Sequence, residues 1–124
     1  MKLTNLNRLL RLADLLRSLP KQKFDMTIWA KENSECGMVC CIGGWACNVH
    51  PDLRRIFDDH YLTIENKKTF TLDESAFQDA FELSKEDTYR TVFGNFRSPQ
   101  TAANHIDRLA KRLAKENDFE IMDA

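Results

Sequence analysis

Two amphipathic segments, one near each end of the chain, constrain its fold more than any other feature of the sequence. Leucine and alanine recur at steps of three and four residues from Leu3 to Leu19, and again from Ala102 to Leu113. This period places the apolar side chains along one face of an α-helix, and that face must be covered by other elements. We therefore expect a fold in which two end helices bury their apolar faces.

Residues at the boundaries predict where these two helices begin and end. Thr4 or Asn5 can cap the start of the first helix, and Pro20 ends it. Ser98 and Pro99 provide a cap followed by proline at the first helical position, which is typical of a helix start. We expect this last helix to continue to about residue 116.

The centre of the chain is rich in cysteine and glycine, and it predicts a helix from about Met38 to Val49. Glycine inside a helix costs about 1 kcal/mol relative to alanine, so a tight contact with another helix is expected to compensate. That contact lies either inside the protein or against a second copy. The small side of the predicted helix carries Cys40, Gly43, Gly44, Ala46 and Cys47.

Shorter elements are predicted between these long segments. Aromatic and apolar residues at 24–29 indicate a short turn of helix, and residues 31–35 indicate a polar loop. Asp52 is placed to cap a short helix that reaches residue 57. Alternating residues on both sides of a polar stretch predict a β-hairpin of 61–64 with 69–72.

Two capping motifs predict the helices that follow the hairpin. Thr71-x-x-Glu74 is a capping box for one helix, and Ser84-x-x-Asp87 begins the next. Apolar spacing in the second of these helices directs three side chains inward: Tyr89, Val92 and Phe93.

The predicted fold is mainly α, within the α+β class: a compact bundle of about five or six helices with one small β-hairpin. The chain has 124 residues, of which 43% are hydrophobic and 30% charged, as in an ordinary globular domain. We expect a single helical domain over residues 1–117 and a short acidic tail over 118–124.

Apolar runs in the sequence are short. The run from Met38 to Trp45 is far below the roughly 20 residues that a membrane-spanning helix needs. The first residues lead directly into an arginine-bearing amphipathic pattern, without the apolar stretch of a secretory signal. A cytoplasmic protein without membrane contact is the expectation.

Clustered cysteines raise the question of a metal site. In a helix Cys40 and Cys47 would be two turns apart, which is too far for one ion unless the helix breaks. Free cysteine otherwise packs as a small apolar residue, so we expect core packing with no metal and no cofactor. The residues that could contribute zinc ligands are Cys36, Cys40, Cys41, Cys47 and His50.

A catalytic thiol is a second possible chemistry of this segment. Cys36 lies near a predicted helix start, where the helix dipole lowers a thiol pKa, and His50 or His105 could act as base. No spacing in the sequence favours such a dyad, and we expect no catalytic residue.

Charge is segregated along the chain although the net charge is −1. Residues 1–31 contain seven Lys and Arg against two Asp and Glu, and residues 97–115 contain five against one. A basic strip on the last helix can bind a partner or neutralise the phosphates of a nucleic acid, although solvent-facing helix surfaces are ordinarily charged. The candidate partner-binding residues are Arg97, Arg108, Lys111, Arg112 and Lys115.

Several short motifs extend over most of the chain. They are Phe24-Asp25-Met26-x-x-Trp29, Cys36-Gly37-x-x-Cys40-x-x-Gly43-x-Trp45-Ala46, Phe81-x-Leu83-Ser84 and Ser98-Pro99-Gln100-x-Ala102. With these motifs the chain resembles a family of small bacteriophage and bacterial proteins that has no assigned reaction. The resemblance implies a small accessory protein of phage type, and it assigns no catalytic residue.

The functional hypothesis from the sequence is binding without catalysis. A phage-type accessory protein would inhibit or modulate a host or anti-phage defence factor, or sequester a small signal, within the cytoplasm of the bacterial host. The expected partner is a host or bacterial protein, and the protein itself is expected as a monomer or homodimer. The alternatives are a nucleic-acid-binding module that uses the basic terminal helices, and a zinc or thiol site in the cysteine segment.

Overall fold

A computed structural model describes residues 1–33, 37–64, 66–70 and 73–120 of the chain. These residues form six α-helices: α1 Leu3–Ser18, α2 Ile42–Ala46, α3 Pro51–His60, α4 Glu74–Phe81, α5 Lys85–Val92 and α6 Pro99–Glu116. They also form four strands: β1 Ala30–Asn33, β2 Gly37–Cys40, β3 Leu62–Ile64 and β4 Lys67–Phe70. The fold is therefore mainly α with a small antiparallel sheet, which confirms the predicted class.

The two end helices are antiparallel neighbours. The Met1 amino group lies 3.4 Å from Asn117 Oδ1, and at the other end Gln100 donates to the Leu19 carbonyl at 3.3 Å. Between these contacts both apolar faces are buried in one core, as predicted, and each leucine so buried contributes about 2 kcal/mol. The residues buried from α6 are Pro99, Ala102, Ala103, Ile106, Leu109, Ala110, Leu113 and Ala114.

The start of α1 is stabilised by another element instead of by its own sequence. Lys2 is the N-cap residue and makes no side-chain cap, so the prediction that Thr4 or Asn5 caps this helix is wrong. Glu82, just after α4, accepts a hydrogen bond from the Lys2 backbone N–H at 2.7 Å. In a capping box, a glutamate of the same helix accepts a hydrogen bond from the N-cap N–H. Here Glu82, from outside α1, accepts that bond instead.

Caps elsewhere agree with the sequence in two cases. The Ser84 and Ser98 hydroxyls accept from backbone N–H groups at 3.1 Å, which confirms the predicted starts of α5 and α6. Asp73 caps α4, and Thr71 of the predicted capping box lies outside the described residues.

Of the helix predicted from about Met38 to Val49, only Ile42–Ala46 is helical, so the prediction is wrong over its first part and beyond Ala46. Gly37–Cys40 forms strand β2, and α2 begins only at Ile42. The polar loop predicted at 31–35 is also wrong where it is described, because Ala30–Asn33 forms β1, which pairs with β2. The backbone groups of β2 therefore bond to another strand instead of to a helical turn.

The predicted hairpin is present as β3 paired with β4, but β4 begins at Lys67, two residues before the predicted strand. Residues 71 and 72 lie outside the described part of the chain. It is the smaller part of a larger sheet. Ala30 stands opposite Cys40 on one side and Phe70 on the other, which gives the antiparallel order β2-β1-β4-β3. The second hairpin, β1–β2, is a feature that the sequence analysis did not anticipate.

Residues 24–29 form a single turn capped by Asp25, but not a helix. Asp25 N–H donates to the Cys40 carbonyl at 3.1 Å, and Cys41 N–H donates to the Ile28 carbonyl at 2.7 Å. Within the turn the Ile28 N–H donates to the Asp25 carbonyl at 3.3 Å, and the Thr27 N–H donates to Asp25 Oδ1 at 2.9 Å.

Trp29 makes the close contact that the two central glycines require. A Cβ atom on Gly44 would lie 1.6 Å from the Trp29 carbonyl oxygen, and one on Gly43 would lie 2.0 Å from the Trp29 ring. A contact inside the protein and a contact with a second copy were the two expected arrangements. The glycine side of α2 packs inside the protein, but against Trp29 instead of against another helix. Trp45 is also packed against the core and donates its Nε1–H to the Lys23 carbonyl at 2.9 Å.

In the part of the chain that the structure describes, no helix combines the length and apolarity needed to cross a bilayer.

Replacement of Gly44 by alanine tests the contact with Trp29. We expect Gly44→Ala to lower the free energy of unfolding by about 3 kcal/mol, because the new methyl group meets main chain that cannot move aside. Gly43→Ala should cost less, since it meets the ring of a side chain. Urea denaturation of both variants measures the effect.

The exposed helical variant Asn104→Ala is the control and should change stability by less than about 0.5 kcal/mol. A Gly44→Ala protein as stable as the wild type, or more stable by the roughly 1 kcal/mol that helix propensity favours alanine, would contradict this account.

Candidate functional site

The cysteine segment does not bring metal ligands together in the described residues. Cys40 ends β2, whereas Cys47 follows α2 and His50 caps α3. Across the described ranges, no group of three or more His, Cys, Asp or Glu side chains could hold one ion. Cys36, a further candidate ligand and the candidate nucleophile, lies outside those ranges.

Burial keeps the described thiols protonated. Cys40, Cys41 and Cys47 are free and buried. Burial raises the pKa of both the Cys40 and the Cys47 thiol to about 12, and it also raises the pKa of Cys41. Since the thiolate is the reactive and metal-binding form, these three side chains act as apolar packing.

His50 is the centre of a buried polar network that joins three helices. Its ring is 2% exposed and lies at the N-terminus of α3, where Pro51 occupies the first helical position. The ring Nε2 is 2.8 Å from the Ala80 carbonyl of α4 and 3.2 Å from Asn5 Oδ1 of α1. Asn5 in turn donates from Nδ2 to Glu82 at 2.8 Å.

These contacts fix the ring as the neutral tautomer protonated at Nε2. Nε2–H donates to the Ala80 carbonyl, while Nδ1 accepts from the Asp52 backbone N–H at 3.3 Å. The prediction that Asp52 caps α3 is therefore wrong, because His50 is the cap. Burial, assisted by the nearby Arg8 guanidinium, lowers the pKa of His50 against the opposing effect of the Ala80 hydrogen bond.

The predicted basic residues lie on the surface and differ in their ion pairing. Arg112 is paired with Asp87 and with Glu116, so its charge is largely compensated. Within the described ranges no ion pair involves the other four candidates. Those exposed residues are Arg97, Arg108, Lys111 and Lys115.

Two of the candidates line a groove of about 230 Å³ between α5 and α6. Burial lowers the pKa of His105 in this groove, and Arg108 lowers it further. Burial alone would raise the pKa of the Asp87 carboxyl, but hydrogen bonds from Arg112 and Ser84 lower it. The lining residues are Asp87, Arg90, His105, Arg108, Leu109 and Arg112.

The outer face of α5 carries an exposed aromatic pair. Tyr89 is 45% exposed and Phe93 54% exposed, so the prediction that both point inward is wrong. Their ring centroids are 5.0 Å apart. Thr88 and Thr91 occupy the buried face instead, because their hydroxyls have hydrogen-bond partners there. The Thr88 hydroxyl donates to the Ser84 carbonyl at 2.9 Å, and the Thr91 hydroxyl lies 2.9 Å from His105 Nε2.

Sequence reasoning missed the His50 network and the aromatic pair. Asn5 was the available signal for the network, since it lies four residues before Leu9 on the apolar face of α1, where a polar side chain needs a buried partner. No comparable signal shows which residues of α5 are exposed, because Tyr89 and Val92 are both apolar in the sequence pattern although only Val92 is buried.

Comparisons with protein-family models, curated proteins and solved structures find no match to this chain.

The lowered pKa of His50 gives a pH dependence of stability with a definite sign. Below its ordinary pKa of about 6.5, the unfolded chain takes up a proton that the folded ring does not, so the free energy of unfolding falls as the pH falls. His105 acts in the same direction. The loss begins near pH 6.5 and continues down to the folded pKa values.

Urea denaturation between pH 7.5 and 5.5, with NMR titration of the ring protons, measures this effect. We expect His50→Gln to be less stable at pH 7.5 but to show a shallower decline on acidification. Glu82 and Asp87, whose pKa values are lowered, lose their contribution only at more acidic pH and do not obscure this window. A His50 ring that titrates at or above pH 6.5 would contradict the assignment.

Proposed function

We propose that this protein acts by binding a bacterial protein, without catalysing a reaction, and that the Tyr89–Phe93 pair is the centre of the binding surface. The exposed aromatic pair is the observation that carries the proposal. Two rings in tilted contact, each about half exposed, leave apolar area in contact with water that a partner would cover. Tyrosine in particular is enriched among residues that dominate binding energy.

The surroundings of the pair indicate the chemistry of the partner. Arg90 lies next to Tyr89 on α5, and Arg108 lines the adjoining groove. Arg90 is compensated by Glu86, whereas Arg108 has no carboxylate partner in the described residues. An apolar protein segment with an acidic flank fits such a surface, because the aromatic rings supply affinity and the arginine selects the charge.

Absence of catalysis is supported by the chemistry of the segment that could have provided it. The three described thiols are buried and protonated, and His50 uses both ring nitrogens within the fold. A role as a phage-type accessory protein that inhibits or modulates a host or defence factor inside the bacterial cell agrees with this interpretation and with the family resemblance of the sequence.

Capture of partners from a bacterial lysate tests the proposal when the aromatic pair is compared with a matched surface change. We expect Tyr89→Ser/Phe93→Ser to reduce recovery of the captured protein at least about tenfold, since loss of such residues costs about 2 kcal/mol or more. Leu62→Ser is the control, because Leu62 is 65% exposed on β3 and away from α5. Recovery is quantified by mass spectrometry.

Both variants should unfold at nearly the wild-type temperature, because the altered side chains are exposed. Recovery that is equal for the aromatic variant and the wild type, or that falls equally for Leu62→Ser, would remove the aromatic pair from the proposal. A wild-type protein that captures no partner would contradict the proposed binding function itself.

Nucleic-acid binding is the second candidate, favoured by one observation. Arg108, Lys111 and Lys115 follow one another at helical spacing on α6, are exposed, and have no ion pair within the described ranges. Such uncompensated cations can neutralise phosphates along a backbone.

Charge reversal tests this candidate. If it is correct, Arg108→Glu/Lys111→Glu/Lys115→Glu should lose salt-dependent retention of DNA or RNA. Arg112 is left intact because it bridges α5 and α6 through Asp87. Lys21→Glu/Arg55→Glu/Lys85→Glu changes the net charge equally at other exposed positions and should retain binding. Equal retention by both triple variants in a filter-binding assay would exclude the α6 surface.

A further inference from the structure

A second groove, of about 540 Å³, lies between α1 and the start of α3. We call it the arginine groove, because three arginines are its main charged residues. Its lining residues are Arg8, Arg11, Cys47, Asn48, Val49, His50, Pro51 and Arg54.

The fold brings the three arginines together from two distant parts of the sequence. Arg8 and Arg11 are one turn apart on α1, whereas Arg54 is in the second turn of α3. The His50 network fixes α1 against the start of α3, through the contact of His50 Nε2 with Asn5. The backbone positions that carry the three arginines are therefore set by the folded core and not by a flexible loop.

The three arginines carry three positive charges, and no carboxylate lines the groove. Burial raises the pKa of the Cys47 thiol to about 12, and it lowers the pKa of His50, so both of these lining groups are neutral near pH 7. Arg54 contacts Asp58 through Nε, but neither Arg8 nor Arg11 has an ion-pair partner in the described residues. Arg8 and Arg11 thus face the groove without an ion pair among the described residues, although Arg8 also lines a neighbouring pocket that contains Asp52, Asp79 and Glu82.

Arg8 also has donor capacity that the protein does not use. Its Nη1 donates to Asn5 Oδ1 at 3.0 Å, which fixes the guanidinium from one side. Its Nε is a buried nitrogen without a hydrogen-bond partner in the described residues. Buried donors without acceptors are uncommon in folded proteins, and a bound ion or water is a usual reason for them.

Phosphate is the ligand chemistry that fits these observations. Arginine presents a planar set of donors that matches phosphate oxygens, and several guanidinium groups around one anion suit a dianion better than a single carboxylate. A groove of 540 Å³ is within the size range of small-molecule sites. We propose that the arginine groove binds the phosphate group of a phosphorylated small molecule about the size of a mononucleotide.

Isothermal titration at low salt tests the proposal with adenosine monophosphate, inorganic phosphate and adenosine as probes. We expect adenosine monophosphate and inorganic phosphate to bind, and adenosine not to bind. The exposed Arg11→Gln variant should weaken monophosphate binding at least about tenfold, because a charge-assisted hydrogen bond is lost. Arg55→Gln is the matched control, since Arg55 is exposed on α3, pairs with Asp52 and does not line the groove.

Arg8→Gln is a second variant in which weaker monophosphate binding is expected, provided that it folds. If it does not fold, Arg11→Gln alone tests the proposal. Failure of both phosphates to bind the wild type would overturn the proposal, as would equal loss of binding in Arg11→Gln and Arg55→Gln. Tighter binding of an oligothymidine without a terminal phosphate at the same arginines would also overturn it, in favour of a nucleic-acid backbone. None of these outcomes depends on the aromatic pair, so this proposal and the protein-binding function fail independently.

Discussion

The contact of Trp29 with Gly43 and Gly44 is the constraint on which the arrangement of sheet and helices depends. Trp29 immediately precedes β1, and the two glycines lie in α2, so the contact sets how closely the sheet and the helical layer approach. Any larger side chain at Gly44 would move the Trp29 main chain and, with it, the strand that pairs with both of its neighbours. Interiors packed at this density do not absorb such a displacement locally.

The long elements were predictable because their signals repeat. Three or more turns of apolar spacing define α1 and α6, and a serine cap followed by proline locates the start of α6. The segment from Met38 to Cys47 offers no such repetition. A short run of small and apolar residues is compatible with either a buried strand or a helix, and only its pairing with the segment beginning at Ala30 decides between them.

The candidate sites were predictable only in part, for a similar reason. The basic residues of α6 were identified, but ion pairing is a property of neighbours that are distant in sequence, and Arg112 is compensated by Asp87 of α5. The exposure of Tyr89 could not be inferred from its apolar character, because it depends on Thr88 and Thr91 finding partners for their hydroxyls. Arg8 reads as a solvent-facing residue until the fold places it against His50.

The antiparallel pairing of α1 with α6 has a consequence for biosynthesis. Of the described helices, α1 is translated before the others and its main partner, α6, after them, so much of the α1 leucine face remains uncovered while the elements between them are made. Contacts between residues this distant in sequence form late, since the chain must close a long loop before they contribute. The nascent protein therefore displays an apolar helix to ribosome-associated chaperones, and its core is completed only when α6 leaves the exit tunnel.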